Sequence, residues 1–209
     1  QSSVKLTFLT SASDKYFCVG ANIGVLKELT SETVGAWVNL GNQVLNRLED
    51  LSCPVVAMIS GYAMGGGLEI AMACDLIFAD DKAAFSQSEA RLGFIPGWGG
   101  CRRLVDRVGV AKAKYLFYTS SMLDGPSACE CGLVDFYGTA NELDAFKSDF
   151  SKSVLENNYN AIRTFKKIVN EEEKARRDRN TKAEAENSVG CLKDEETLKR
   201  LNAFLNKKK

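Results

Sequence analysis

The sequence predicts an α/β fold. Apolar runs of strand length recur at Val4–Thr10, at Val55–Ile59 and from Leu76 onward. Between the first two lies a stretch with helical spacing of its apolar residues, and the connections are short. Strand and helix patterns alternating in this way are the mark of an α/β architecture.

Taken in order, Val4–Thr10 (VKLTFLT) combines β-branched and aromatic residues ahead of a Ser/Asp turn, as a strand does. The chain thus opens on a core strand with nothing before it to cover an edge, and a preceding section is expected. Asp14–Ile23 (DKYFCVGANI) reads as a loop around Gly20. Thr30 or Ser31 is the expected N-cap of a helix whose Val34, Trp37, Val38, Gly41, Val44, Leu45 and Leu48 share one face. Ser52-Cys53-Pro54 ends that helix and leads into Val55–Ile59, an unbroken apolar strand. The run breaks at Gly61. Gly65, Gly66 and Gly67 then open a short helix carrying Glu69, and a further strand begins near Leu76.

Beyond a turn at Ala79–Lys82, Ala84–Glu89 (AFSQSE) reads as a short strand or extended piece, and Gly93–Gly100 (GFIPGWGG) as an irregular loop. Cys101–Val108 and Ala111–Tyr118 read as helices, Ser127–Cys131 as a short helix closed at Gly132, and Leu133–Phe136 as a brief strand. From Asn141 the pattern is helical and increasingly charged. Phe146, Phe150 and Val154, then Ile162, Phe165 and Ile168, mark apolar faces, and Lys207–Lys209 reads as a solvated basic end. No repeat or linker interrupts the chain. Residues 1–140 are expected to form a core and 141–209 a helical region of the same domain.

Composition narrows the chemistry. A chain of 209 residues suits one domain burying roughly 70% of its unfolded surface. Lysine plus arginine and aspartate plus glutamate each number 27, so charge balance makes no case for nucleic acid or an anionic membrane as partner. No apolar run reaches the ~20 residues of a bilayer span, and Gln1-Ser-Ser-Val-Lys lacks a signal-peptide pattern. Seven cysteines are scattered without Cys-x-x-Cys spacing, and only Cys129-x-Cys131 is close. They read as free thiols of a reducing, cytoplasmic setting, and no metal site is expected. Histidine is absent. A Ser-His-Asp triad, a Cys-His dyad and most catalytic zinc sites are thereby excluded, leaving acid/base work to carboxylates, lysine, tyrosine or cysteine.

The glycine triplet at a helix start exposes backbone N–H groups where the helix dipole is positive, a place to hold negative charge on oxygen. Close helix–strand packing is an equally good reason for it. It is not a P-loop, because no Gly-Lys-Ser/Thr follows. GFIPGWGG is not a dinucleotide fingerprint, because Arg102 stands where the third glycine belongs. Glu69 lies in the apolar run LEIAMAC, where burial would raise its pKa toward neutrality and suit it to proton transfer. Alone, it reads as a carboxylate ion-paired to an arginine such as Arg91 or Arg102. Glu89 alone reads as an ordinary loop carboxylate.

Together these segments change the reading. VVAMISGYAMGGGLEIAMACDLIFAD, followed by AAFSQSEARLGFIPGWGGCRRL, resembles the signature of the crotonase (enoyl-CoA hydratase/isomerase) superfamily, and DKYFCVGANI resembles that family's other active-site loop. The likeness runs from Val4 to about Val134 and more loosely beyond, with the two glutamates twenty residues apart. It implies a crotonase-like ββα spiral core with a C-terminal helical region, and an acyl-CoA thioester site. The N–H groups of Ala21 and Gly66 would form the oxyanion hole. Glu69 would act as base on a water, and Glu89 as the acid delivering a proton to the α-carbon. The resemblance further implies substrate contacts at Val19, Gly20, Asn22 and Ile23, at Gly65, and at Gly97 and Trp98, although Trp98 also reads as a packing aromatic.

Because relatives that hydrate enoyl-CoA keep both glutamates, the resemblance favours a hydratase. Double-bond isomerisation, dehydration, decarboxylation and a non-catalytic acyl-CoA-binding role are the alternatives. No metal, nucleotide or redox cofactor is implied, since CoA arrives as part of the substrate, and a trimer or dimer of trimers is the implied assembly. Asn22 stands where most relatives have aspartate, and Ser88 where proline commonly precedes the second glutamate. Relatives also carry a strand pair and helix ahead of the position of Val4, which supply part of the CoA surface.

Overall fold

A computed structural model describes residues 4–13 and 15–206. The chain runs through β1 (Thr7–Leu9), β2 (Tyr16–Cys18), α1 (Ile23–Glu28), α2 (Val34–Glu49), β3 (Val55–Ile59), β4 (Tyr62–Met64), α3 (Gly66–Met72), β5 (Leu76–Ala79) and β6 (Ala84–Ser86). After a 3₁₀ turn at Glu89–Leu92 come α4 (Gly100–Val108), α5 (Val110–Thr119), β7 (Leu123–Asp124), α6 (Gly125–Glu130) and β8 (Phe136–Tyr137). Three helices follow: α7 (Ala140–Glu156), α8 (Tyr159–Lys193) and α9 (Glu195–Asn206).

From β1 to β6, consecutive strands go to different sheets, whereas β6 and β7 share one. One sheet has the order β1-β3-β5-β8, all parallel; the other is β2-β4-β6-β7, parallel except for the last pair. Each strand pair is followed by helix before the next pair begins, so the path advances as a ββα spiral. β3 (VVAMI) is buried along its whole length, as a strand covered on both faces must be. Val55, Ala57 and Ile59 join the main core with Leu68 and Met72 of α3. Val56 and Met58 face the other way, onto Phe78 and Leu143 of α7. Phe146 and Phe150 of α7 meet the Phe78 ring edge to face, with centroids 5.0 and 5.2 Å away.

Several local expectations are corrected. The segment expected as a loop at Asp14–Ile23 contains β2, and β4 stands between Gly61 and the triplet. The N-cap of α2 is Thr33, not Thr30 or Ser31, because residues 31–33 form a turn in which the Thr33 hydroxyl accepts the Thr30 N–H. On α2, Val44 is 54% exposed and Asn42 1%, so the buried face turns toward a polar residue. Leu133 and Val134 are buried but not in a strand. Their N–H groups both reach the Ala128 carbonyl and wrap the end of α6, and the strand pairing starts only at Phe136. Phe165 and Ile168 are 72% and 57% exposed, so they do not form a core face of α8. Asp14 and the basic end at Lys207–Lys209 lie outside the described residues. Among the described residues, no helix is long and apolar enough to cross a membrane.

Candidate active site

Three neighbouring parallel strands deliver the site. β2, β4 and β6 run in the same direction, and their C-terminal ends release Val19–Ala21, Gly65–Gly66 and Ser88–Glu89 side by side. Ligand sites of parallel sheets form at that edge. Gly20 has φ +90°, and a β-carbon there would sit 3.1 Å from both Gly66 N and Met64 O. This contact brings the Ala21 backbone against the start of α3, which Gly65 opens without a side-chain cap. Ala21 and Gly66 line one cleft.

Glu69, in the first turn of α3, is 2% exposed. Its Oε1 accepts hydrogen bonds from Trp98 N (2.7 Å) and Gly100 N (2.8 Å). Burial, then the charges of Glu89 and Glu184, push its carboxyl well above the ordinary range, against the pull of those two N–H groups. The arginine pairing expected for an isolated Glu69 is not made. Arg102 chelates Glu49 (2.8 and 3.0 Å) and reaches Asp106, while Arg91 donates to the Ser120 carbonyl. Arg102 points from α4 toward α2, whereas Glu69 faces the loop that precedes α4.

Glu89 opens the 3₁₀ turn after β6. Its Oε1 accepts the Gln87 side-chain N–H at 2.9 Å, and its Oε2 is shielded from solvent without a hydrogen-bond partner. Burial pushes this carboxyl up to about 7, opposed by its own backbone N–H and Gln87, and aided by Glu184. Oε1 lies 3.1 Å from the place a β-carbon on Gly65 would take, so Glu89 stands over the triplet.

The cleft has a volume of about 90 Å³ and an apolar wall that includes Leu26, Val34, Trp37 and Phe94. Val19, Gly20, Ile23, Gly65, Gly97 and Trp98 also line it, together with both glutamates. Asn22 is not among the lining residues. It is the N-cap of α1, and its side-chain oxygen is turned to the Gly24 N–H at 2.8 Å. Trp98 lines the cleft and also packs on Trp37, the rings tilted at 46° with centroids 4.8 Å apart.

Sequence reasoning missed three polar residues here. Gln87, two places before Glu89, was legible only as part of an extended polar stretch. Asn42 sits amid an apolar helix face, where a polar residue was the available signal; its amide donates to the Gly97 carbonyl at 2.8 Å. Glu184 is 2% exposed yet lies in KAEAEN, which looks like a solvated helix surface.

A profile of the enoyl-CoA hydratase/isomerase family matches residues 1–209. The chain belongs to that family. It is 35% identical over 208 residues to a short-chain-enoyl-CoA hydratase of Clostridium acetobutylicum, an alignment covering all of this chain and 80% of that one. A crotonyl-CoA hydratase of Syntrophomonas wolfei is 33% identical over 207 residues, covering 99% of this chain and 80% of its own. The fold of the crystal structure of an enoyl-CoA hydratase from Bacillus halodurans superposes with a TM-score of 0.89 over 97% of this chain and 83% of that one, at 24% identity. The crotonase-type spiral expected from the motifs is the fold of this family member, with its helical region at the C-terminal end.

Proposed function

We infer that this chain is an enoyl-CoA hydratase, adding water reversibly across a 2-enoyl-CoA to give a 3-hydroxyacyl-CoA. The observation that carries the reading is the meeting of two carboxyls of raised pKa, Glu69 and Glu89, on the cleft lined by Ala21 and Gly66. The relatives' names point the same way.

In this reading the Ala21 and Gly66 N–H groups bind the thioester oxygen and polarise the conjugated double bond. One such donor is worth about 10²- to 10³-fold in rate. Glu69 takes a proton from water as the water oxygen bonds to the β-carbon, and the π electrons move onto the thioester oxygen as an enolate. Glu89 then gives its proton to the α-carbon. The pair needs one proton between them, as two close carboxyls hold near neutrality. Hydration starts with that proton on Glu89, whose bare Oε2 can carry it, while Glu69 accepts two N–H bonds as a carboxylate. Dehydration starts with it on Glu69, where burial and neighbouring charge favour it. A single mobile proton therefore serves both directions.

The chemistry calls for no metal, nucleotide or redox cofactor, and CoA enters with the substrate. A homo-oligomer, trimer or dimer of trimers, is supported by the exposed apolar Phe165, Ile168 and Val169 on α8. A cytoplasmic location is supported by seven free thiols. The test is turnover of crotonyl-CoA in ¹⁸O-water by the parent chain, Glu69→Gln and Glu89→Gln. Product carrying ¹⁸O and a fall of about 10²-fold or more in each variant are expected. Near-parental rates in either variant, or a shifted double bond without ¹⁸O, would overturn the reading.

A further inference from the structure

The backbone from Trp98 to Cys101 hangs between two buried carboxylates. Trp98 N and Gly100 N go to Glu69, whereas Gly99 N and Cys101 N go to Glu184, at 2.7 and 3.1 Å. These groups form the N-terminal end of α4, whose N-cap, Gly99, has no side chain to serve them. Glu184 comes from the distant α8 and is otherwise held by Asn42 and Asn180, at 3.2 and 2.9 Å. Among the described residues no cation pairs with it. Burying an ion without a counter-ion is costly, and here four N–H donors compensate it. All four are donors, so only a group that accepts on both oxygens fits.

We propose that Glu184 is a positioning residue for Glu69: by holding Gly99 N and Cys101 N, it sets the turn so that Trp98 N and Gly100 N meet the Glu69 carboxylate. The proposal rests on Glu69 being the base of the inferred hydration. Asn42 acts with it, bridging the Gly97 carbonyl and the Glu184 carboxylate. Arg103 fixes the Trp98 carbonyl from the following turn, at 2.6 Å. The charge of Glu184 also helps keep both Glu69 and Glu89 above the usual carboxylate range, in line with proximity to the pair.

The loop carries its own reporter. The sequence has two tryptophans, and Trp37 and Trp98 lie 4.8 Å apart at 46°, an arrangement that produces a coupled circular dichroism signal. Glu184→Gln turns an amide N–H₂ toward two donors and should release the turn. The expected result is a kcat for crotonyl-CoA lowered 10- to 100-fold, a KM changed less than threefold, and a weakened tryptophan couplet. Glu186→Gln, the same change at an exposed position of α8, should match the parent in all three. If Glu184→Gln does not fold, Asn180→Ala withdraws one donor while leaving the carboxylate, and should lower kcat severalfold in the same sense.

A Glu184→Gln protein that only melts earlier, with kcat and couplet intact, overturns the proposal. So does one whose couplet collapses while kcat stays within threefold of the parent. If the parent chain hydrates no enoyl-CoA, the functional reading fails instead, and the couplet still reports whether Glu184 holds the turn.

Discussion

Gly41 of α2 lies against the indole of Trp98 so closely that a β-carbon on Gly41 would overlap the ring's Cδ1 and Nε1. The other edge of the indole presses on Gly66, where a β-carbon would fall 2.6 Å from Cζ3. Trp98 is therefore wedged between α2 and the proposed oxyanion donor. Gly41→Ala should displace it. Overpacking costs about 1–3 kcal/mol, against a helix-propensity gain of about 1. Gly35→Ala on the same helix meets nothing nearer than 3.9 Å and should keep the gain. Urea melts should separate the two, Gly35→Ala shifting up and Gly41→Ala down with a loss of kcat; a stabilised, fully active Gly41→Ala would refute the wedge.

Removing the indole should open the cleft. The cleft it lines offers about 90 Å³, the space that the acyl chain would enter in the inferred reaction. Trp98→Ala should raise kcat/KM for octenoyl-CoA relative to crotonyl-CoA by about tenfold, at a stability loss toward the low end of the about 3–5 kcal/mol typical of such truncations. An unchanged ratio across enoyl-CoAs of graded length would mean that Trp98 does not bound the acyl site.

The buried carboxyl of Glu89 should cost stability at neutral pH. Glu89 is pushed up to about 7, against about 4.3 for an unfolded glutamate. Between those values the folded state binds more protons than the unfolded, so stability falls as pH rises through this window and levels off above it. Glu89→Gln should therefore be more stable than the parent at pH 8, by up to about 4 kcal/mol, with the advantage gone near pH 4. Chemical melts at the two pH values check the sign. An equal difference at both would dissociate the effect from titration.

Glu49 has the opposite sign. Burial pushes its carboxyl up, but Arg103 and Arg102 outweigh this and hold it below the ordinary range. Their guanidiniums lie 3.1 and 2.8 Å away, and Arg177 is also in reach at 3.4 Å. Glu49→Ala leaves the buried Arg103 without a carboxylate, while Arg102 keeps Asp106 and Arg177 keeps Asp50, and should cost about 3 kcal/mol. This contribution is present above about pH 4.3 and is lost as pH falls through the lower folded value. Thermal melts of the pair at pH 7 and in acid should converge in acid. Equal separation at both would mean that Glu49 contributes by packing alone.

The features most legible in the sequence were those made by composition along one stretch. β3 shows as a run of five apolar residues, and the triplet with Glu69 shows because glycines and a carboxylate are conspicuous in an apolar neighbourhood. β2 and β4, three residues each, have no room to display a period and take their strand geometry from neighbours in the sheet. The partner of Glu69 could not be read, because Arg102 is as near in sequence as the backbone N–H groups that in fact hold it. Glu184 was hidden for a similar reason. A charged stretch of helix looks solvated until a loop 85 residues earlier packs onto it. On α8 the error ran the other way, since the apolar residues Phe165 and Ile168 face outward.

Neighbouring strands keep a spacing of about 4.8 Å, so the sheet works as a ruler that sets the interval between the first loop, the triplet and Glu89 before any side chain acts. Within that interval the segments are fitted to one another, Gly20 on Gly66 and Glu89 over Gly65, so a change in one strand end is felt at the next.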